Sequence, residues 1–329
     1  MKLLDKKLKK IKNGTFTLKD FIIADAKDAD MGFGIQAPGN IRNLKGVKTN
    51  NFLNKEDYIK KIVKMTRSEL VDVMLMSAST AEKTFKMNLF KNSKVTPAIR
   101  FNDSTDIWAL RHGNYNKKFG HPFRTSRLDL IKKYCNLGLY AITFCNDRDL
   151  DIYTLNKYKE FRIEANKYKF KHFLEVFNPN QSIGLSHKEL GKYINDCIIK
   201  TLAGVVELEM PLFLKIVFNG KAAIEELANY DPKNLIVGVL GGSKGTTRDT
   251  FELVKQSSQS GAKVALFGRK INLSEDPQML VYLMREVVNS NITTKDAVKK
   301  YHSDLKRKKL FADTKLEDDI EITEKSLRQ

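Results

Sequence analysis

Eight short apolar runs recur along this 329-residue chain, and helix-period segments fill the gaps between them. The candidate strands are FIIAD (21–25), DVMLMSA (72–78), PAIRF (97–101), YAITFC (140–145), HFLEVF (172–177), PLFLKIVF (211–218), LIVGVL (235–240) and KVALFG (263–268). The candidate helices are 55–68, 80–91, 126–136, 151–169, 187–202, 221–229, 247–260 and 277–289. Strands separated by helices pair in parallel, so eight such units predict an α/β fold, a single (β/α)8 TIM barrel. An open doubly wound sheet is the alternative, but the GxGxxG fingerprint expected after its first strand is absent from FIIADAKDADMGFG.

Two connections between these elements are long, and both follow strands. The first, after strand one, contains DAKDADMGFGIQAPGN; the second, after strand three, reads NDSTDIWALRHGNYNKKFGHPFRTS and holds Trp108. In a barrel both lie at the carboxyl ends of the strands, where active sites are built. Such loops serve as lids, substrate walls or oligomer contacts. From about residue 303 the composition becomes charged, so we expect a barrel domain over residues 1–302 and a charged C-terminal extension over 303–329.

The charge of the chain favours an anionic small molecule over a nucleic acid as the partner. Lysine and arginine number 58 against 39 aspartates and glutamates, which gives a formal net charge of +19. The lysines are spread over nearly the whole chain, and only KKLKK (6–10) and DLKRKK (304–309) are dense clusters. Neither a finger spacing, a basic zipper nor an aromatic RNA-binding signature accompanies them. Solvated lysine faces therefore explain the excess better than a nucleic-acid surface does, and the positive field attracts anionic metabolites.

Membrane proteins and metalloproteins find little support in the sequence. No apolar run approaches the ~18 residues that span a bilayer, and MKLLDKKLKKIKNG lacks the apolar stretch of a secretory signal. Three cysteines without a CxxC pair and five histidines without an HxH or HExxH arrangement favour reduced thiols over a disulfide or metal site. We therefore expect a cytoplasmic protein with no membrane partner, no bound metal and no cofactor.

Two glycine-rich stretches form the strongest local signal for a ligand. GVLGGSKGTT (238–247) and ALFGRK (265–270) close strands seven and eight, at the usual phosphate cradle of a barrel. Glycines there let backbone N–H groups approach an anion, and arginine adds charge-assisted hydrogen bonds. The candidate phosphate-binding residues are Gly241, Gly242, Ser243, Gly268 and Arg269. The alternative is a pair of tight turns with Arg269 in a surface ion pair. A nucleotide-binding P-loop does not fit, because Ser243 follows Gly242 where that motif needs lysine.

Lys215 stands inside the apolar run PLFLKIVF, where an ammonium is costly unless it is paired, neutralised or used. In a water-poor barrel a lysine amine loses its proton more readily and can attack a carbonyl carbon to form an imine. The protonated imine accepts electrons, so that an adjacent carbon–carbon bond can break or form. The alternative is a structural lysine that pairs with an inward carboxylate or extends past the strand end to water.

Other polar residues at strand ends could act beside Lys215. Asp25 ends strand one and Glu175 lies inside the apolar strand HFLEVF. Each could pair with the lysine or move protons during imine chemistry, and the spacing alone does not separate these roles. Asn178, Arg100 and Lys27 are the candidate substrate-binding residues, although Asn178 before a proline could equally serve a turn.

Four motifs in this chain resemble those of the class I, Schiff-base aldolase superfamily. LKIVFNG, LGGSKGTTRDTF and ALFGRK match the archaeal-type fructose-bisphosphate and deoxyribose-phosphate aldolases, and FIIADAKDADMG looks like their first-strand aspartate motif. The resemblance is strong over the last third of the chain and weak over most of the other strands. It implies Lys215 as the imine-forming lysine and Asp25 as an active-site acid. It also implies phosphate contacts from the two glycine-rich loops.

The chain departs from the family at strand five. Asn178 stands where the fructose-bisphosphate branch has a proton-transferring tyrosine, and Glu175 resembles the strand-five glutamate of the tagatose-bisphosphate branch. Alignment on that branch would bring Glu207 to the lysine position, but alignment on Lys215 keeps both glycine motifs in register. The resemblance implies a lyase of carbohydrate metabolism that acts through a lysine Schiff base on a phosphorylated or anionic sugar or keto substrate, and we expect a homo-oligomer. The alternatives are a barrel that binds sugar phosphates, or an enzyme of different chemistry, without an imine.

Overall fold

A closed barrel of eight parallel strands forms the centre of the computed structural model, which describes residues 1–44 and 46–328. Each strand pairs with its neighbour in the chain, and β1 closes the ring by pairing with β8. The strands are β1 (Ile22–Lys27), β2 (Val73–Met76), β3 (Thr96–Arg100), β4 (Leu137–Thr143), β5 (Lys171–Phe177), β6 (Leu214–Ile216), β7 (Gly238–Leu240) and β8 (Val264–Phe267). The predicted (β/α)8 barrel is therefore confirmed, with all eight strands in the predicted order.

Helices surround the barrel at the predicted places. Those in the described residues are α1 (Leu3–Lys12), α2 (Asp30–Phe33), α3 (Lys55–Ser68), α4 (Ala78–Lys86), α5 (Leu128–Ile131), α6 (Arg148–Lys167), α7 (His187–Ala203), α8 (Lys221–Tyr230), α9 (Thr247–Gln259), α10 (Arg269–Asn272), α11 (Pro277–Val288), α12 (Thr294–Arg307) and α13 (Leu316–Asp319). The helix predicted over 126–136 is shorter than expected. It ends at Ile131 because the chain must become extended by Asn136, whose carbonyl accepts from Lys171 N–H beside the start of β4.

Side chains alternate between the two faces of the barrel strands, as the period of two requires. The inward-facing apolar residues pack together in the barrel centre. This layer includes Ile22, Ala24, Ala26, Val73, Leu75, Ala98, Leu137, Leu139, Ala141, Phe173, Phe213, Ile236, Val264 and Leu266. The alternate residues, such as Ile23, Met74 and Leu174, face the helices and join a larger core cluster. Both faces of the sheet are thus buried, which is typical of parallel barrels.

The two long connections both contain a hairpin. After β1, Asn40–Arg42 pairs with Lys48–Phe52; after β3, Asp103–Ser104 pairs with Pro122–Phe123. Trp108 packs edge-on against two aromatic rings of the second connection. Both connections leave the carboxyl ends of their strands, where they surround the mouth of the barrel.

The chain after residue 303 first completes α12 and then returns to α9. Thr246 caps the amino end of α9 through a hydrogen bond from Asp249 N–H, and its own hydroxyl donates to the Glu321 carbonyl oxygen. Asp249 in turn accepts from the N–H groups of Thr323 and Glu324. Within the described residues, no helix has both the length and the apolar character needed to cross a membrane.

Candidate active site

Lys215 and Glu175 form an ion pair inside the barrel. The two residues lie side by side on β6 and β5, and both follow inward-facing phenylalanines by two positions. Lys215 Nζ is 2.5 Å from Glu175 Oε1, and the two side chains are 8% and 2% exposed. The charged residue in the apolar strand is therefore paired with an inward carboxylate, which was one of the two interpretations of the sequence. The pair also satisfies a requirement of imine chemistry, because the carboxylate can accept a proton from the ammonium.

Arg100 extends this pair into a network across the barrel mouth. Its Nη1 atom is 3.9 Å from Glu175 Oε2 and 3.0 Å from Asp28 Oδ2, while Nη2 is 3.4 Å from Asp103 Oδ1. Burial lowers the pKa of the Arg100 guanidinium, but the three carboxylates raise it and the net change is upward. Burial raises the pKa of Asp103 to about 6, against the opposing effect of Arg100. This network thus joins two cations to three carboxyl groups, a balance that suits the hydroxyl groups of a substrate better than its anionic group.

Asp25 and Lys27 lie on the other face of β1. Ala24 and Ala26 point into the barrel, so the residues that alternate with them point towards α3. Lys27 Nζ donates to both carboxylate oxygens of Asp25 at 2.6 and 2.7 Å. Burial raises the pKa of Asp25, although the Lys27 ammonium opposes the change. The structure therefore does not bring Asp25 or Lys27 into contact with Lys215, and the inward carboxylate at the end of β1 is Asp28.

Asn178 follows β5 and pairs with Asn219, which follows β6. The two side-chain amides exchange reciprocal hydrogen bonds, with N–O distances of 2.8 and 3.1 Å. Asn219 is 7% exposed, and Asn178 is half-buried. The amide pair therefore joins the ends of the two strands that carry Glu175 and Lys215.

The loops after β7 and β8 offer unpaired donors to an anion. In the part of the chain that the structure describes, the backbone N–H groups of Gly241, Gly242 and Ser243 donate to no acceptor. Neither do those of Gly268 and Arg269. Gly242 has φ of 64°, a left-handed conformation that favours glycine.

The Arg269 side chain is also without a carboxylate partner among residues 1–44 and 46–328, and its guanidinium lies 5.2 Å from the centre of the Phe33 ring. The neighbouring lysines differ from it. Lys244 Nζ is 2.6 Å from Asp313 Oδ2, and Lys270 Nζ is 2.7 Å from Glu324 Oε1. Arg269 is thus the cation of these loops that is available to a ligand.

Three residues of this region were missed by sequence reasoning. Asp28 could have been found, because it continues the even-numbered set of Ile22, Ala24 and Ala26 on one face of β1. Asp103 lies three residues after Arg100 but among other polar residues of the loop, so nothing singles it out. Asn219 gave no local signal, since its partner Asn178 is distant in the sequence. Glu207, the alternative at the lysine position, lies in a short 3₁₀ helix before β6, and its nearest cationic partner is Lys12 at 3.7 Å.

Proteins of known structure share this barrel. An archaeal fructose 1,6-bisphosphate aldolase has 15% sequence identity and a TM-score of 0.62, with 85% of this chain and 98% of that chain covered. A fructose-bisphosphate aldolase from Slackia heliotrinireducens has 11% identity and the same TM-score, with 95% and 93% covered. The (S)-3-O-geranylgeranylglyceryl phosphate synthase from Thermoplasma acidophilum, solved with sn-glycerol-1-phosphate, has 11% identity and a TM-score of 0.51, with 88% and 98% covered.

A sequence relative gives the same indication. An uncharacterized aldolase from Saccharolobus solfataricus is 23% identical over 232 residues, which cover 69% of this chain and 81% of the relative. No family model matches the chain. The resemblance to Schiff-base aldolases is thus confirmed at the level of the barrel that they share with this protein.

Proposed function

We propose that this protein is a class I aldolase-like lyase that breaks or forms a carbon–carbon bond through a Schiff base on Lys215. The observation that carries the proposal is the buried contact of 2.5 Å between Lys215 Nζ and Glu175 Oε1. It brings a proton acceptor within reach of a buried amine on the inward face of β6. The shared barrel of the fructose-bisphosphate aldolases supports the same reaction class.

Imine formation begins when Glu175 accepts a proton from the Lys215 ammonium. The neutral amine attacks the substrate carbonyl carbon, and the resulting adduct rearranges to a neutral carbinolamine. The protonated Glu175 then gives its proton to the carbinolamine hydroxyl, which leaves as water. An iminium ion remains on Lys215, and Glu175 is again a carboxylate.

Bond cleavage uses the iminium as the electron acceptor. A carboxylate takes the proton of the hydroxyl on the carbon to be released, and that carbon leaves as an aldehyde. The electron pair of the broken carbon–carbon bond moves towards the iminium nitrogen and leaves an enamine on Lys215. Protonation of the enamine carbon and addition of water then release the second product. We assign the proton transfer to Glu175 rather than to Asp25, because Asp25 faces α3 and pairs with Lys27.

The phosphate group of the substrate is proposed to bind at the loops after β7 and β8. Five backbone N–H groups that have no acceptor among the described residues, from Gly241 to Ser243 and at Gly268 and Arg269, support this assignment. The Arg269 guanidinium supplies the positive charge. Arg100 is already surrounded by three carboxylates, so we propose that it orients Glu175 and substrate hydroxyls instead of holding the phosphate.

A barrel that binds a phosphorylated ligand without an imine is the second candidate. The synthase from Thermoplasma acidophilum, which shares this barrel and was solved with sn-glycerol-1-phosphate, favours it. In that case Lys215 would be a structural partner of Glu175, and the two glycine-rich loops would carry the function. The two candidates differ in whether a covalent adduct forms.

Borohydride reduction separates the two candidates. The protein is incubated with a panel of ketose phosphates and aldehydes, reduced with sodium borohydride, and digested for mass spectrometry. We expect a stable adduct on the peptide that contains Lys215, and none on Lys215→Met. Retained ligand binding without an adduct across the panel would support the second candidate. Adducts spread over exposed lysines at equal yield would contradict a dedicated imine-forming lysine.

A further inference from the structure

A cavity of about 370 Å³ lies on the outer side of β1. It is bounded by α3, by the hairpin that follows β1 and by the segment between α10 and α11. The polar side chains that line it include Lys27, Arg42, Lys61, Lys64, Asn272 and Glu275. Lys27 reaches it from the outward face of β1, so the sheet separates this cavity from Lys215.

Four of the lining side chains are cations, and carboxylates neutralise only some of them. Lys27 pairs with Asp25, and the Arg42 guanidinium pairs with Asp313. The Lys61 ammonium has only the Pro38 carbonyl oxygen, at 2.8 Å, as an acceptor in the described chain.

The carboxylate that lines the cavity, Glu275, does not neutralise these cations. Glu275 is engaged elsewhere, since one oxygen is 3.4 Å from Lys244 Nζ and the other accepts from the Tyr301 hydroxyl. Lys64 forms no ion pair in the part of the chain described. The cavity therefore presents more positive than negative charge.

Burial and the excess of positive charge both lower the pKa of Lys61. Burial, and after it the charges of Lys27 and Arg42, lower the pKa of its ammonium to about 8 against the opposing effects of Asp25 and Asp57. An ordinary lysine titrates near 10.4. A bound anion would offset the repulsion among the three cations.

Asn272 adds a hydrogen-bond acceptor to the cavity. Its side-chain nitrogen donates to the Ala37 carbonyl oxygen at 2.9 Å, which establishes which way the amide points. The amide oxygen is buried and has no hydrogen-bond partner in the described part of the chain, and the residue is 3% exposed. A buried acceptor without a donor is costly, so a ligand that carries a hydroxyl group as well as negative charge would satisfy it.

We propose that this cavity is a second anion site, which binds the phosphate group of a hydroxyl-bearing phosphate ester. The phosphate contacts Lys61 and Arg42, and a hydroxyl of the ligand donates to Asn272 Oδ1. The site is independent of imine chemistry, because none of these side chains contacts Lys215 or Glu175. The proposal of this anion site therefore does not depend on whether the chain is a lyase.

Competitive labelling of amines tests the site directly. The whole protein is treated with trace acetic anhydride at pH 8, at constant ionic strength, with no addition, with inorganic phosphate, with sn-glycerol 3-phosphate or with glycerol. Peptide mass spectrometry then compares Lys61 with Lys91, an exposed lysine outside the cavity. If a bound phosphate raises the pKa of Lys61 by about one unit, its unprotonated fraction at pH 8 falls about fivefold. We expect both phosphate compounds to slow the labelling of Lys61 by about that factor and glycerol to have no effect.

A binding measurement gives an independent readout. In an Arg269→Ala background, which weakens the proposed catalytic phosphate site, calorimetry measures the affinity for sn-glycerol 3-phosphate. Adding Lys61→Met should lower that affinity at least tenfold, whereas adding Lys91→Met should leave it unchanged. Labelling of Lys61, relative to Lys91, that phosphate leaves unchanged would overturn the proposal. So would an affinity that Lys61→Met leaves unchanged.

Discussion

Replacing Lys215 by methionine tests whether its ammonium and the Glu175 carboxylate form a buried ion pair in the resting protein. Two unit charges at their separation of 2.5 Å attract by about 7 kcal/mol at an effective dielectric constant of about 20. Desolvation cancels much of this attraction, but removal of one partner leaves the other charge buried alone, at ~3–5 kcal/mol. Because Arg100 lies 3.9 Å from the second oxygen of Glu175, we expect Lys215→Met to lower the free energy of unfolding by ~3 kcal/mol.

A double-mutant cycle measures the pairing itself. Urea unfolding at pH 7 compares the wild type with Lys215→Met, Glu175→Gln and the variant that carries both changes. Methionine keeps the apolar stem, and glutamine keeps the shape of the glutamate, so the cycle removes mainly charge. We expect the double variant to lose at least ~2 kcal/mol less than the sum of the single losses, as interacting residues do. Additive losses, within ~0.5 kcal/mol, would refute the ion pair and with it the proposed proton path.

Asp103→Asn should remove a pH dependence of the free energy of unfolding. Because the pKa of Asp103 rises to about 6 on folding, its contribution to stability is fully present below about pH 4 and is lost as the pH rises through 6. Urea unfolding should show the wild type losing up to ~3 kcal/mol relative to the variant between pH 4 and pH 7, and equal losses would contradict the shift. Glu175→Gln should lower kcat for bond cleavage by ~10²–10⁴-fold in steady-state assays; an unchanged kcat would exclude it as the proton carrier. Arg269→Ala should raise KM for a phosphorylated substrate by about 10–100-fold, from the loss of ~1.5–3 kcal/mol in hydrogen bonds to a charged group, and should leave kcat/KM for the unphosphorylated sugar nearly unchanged. Gly242→Ala should cost ~1 kcal/mol in thermal unfolding, because its φ of 64° strains alanine although no heavy atom lies within 4 Å of an added Cβ; an unchanged Tm would argue against that strain.

The order of the strands could be predicted from the sequence because each apolar run is bounded by a helix-period segment. The direction in which single side chains point was harder to predict. In IIADAK both faces of β1 are buried, one against the barrel centre and one against the helices, so hydrophobicity does not reveal which set faces inwards. The sequence therefore predicts Asp25 beside the substrate, although in the structure Asp25 points towards α3 and Asp28 points inwards.

The pairing of the charged residues depended on contacts that a single sequence does not display. A charge within an apolar strand drew attention to Lys215 and Glu175 separately, and parallel pairing of their strands then aligned them. Asp103, in contrast, lies in a long loop that contains several other polar residues. It lies only three residues after Arg100 and contacts it at 3.4 Å, but other polar residues of the loop are similarly near in the sequence, so proximity does not single Asp103 out.

The hydrogen bonds at the amino end of α9 have a consequence for the order of events during synthesis. Asp249 accepts from the backbone of Thr323 and Glu324, and Glu324 also pairs with Lys270. All eight strands leave the ribosome before residues 323 and 324 are made. The loops after β7 and β8 thus acquire these contacts only after residues 323 and 324 have been synthesised. A nascent chain could close its barrel while the proposed phosphate cradle still lacks part of its support.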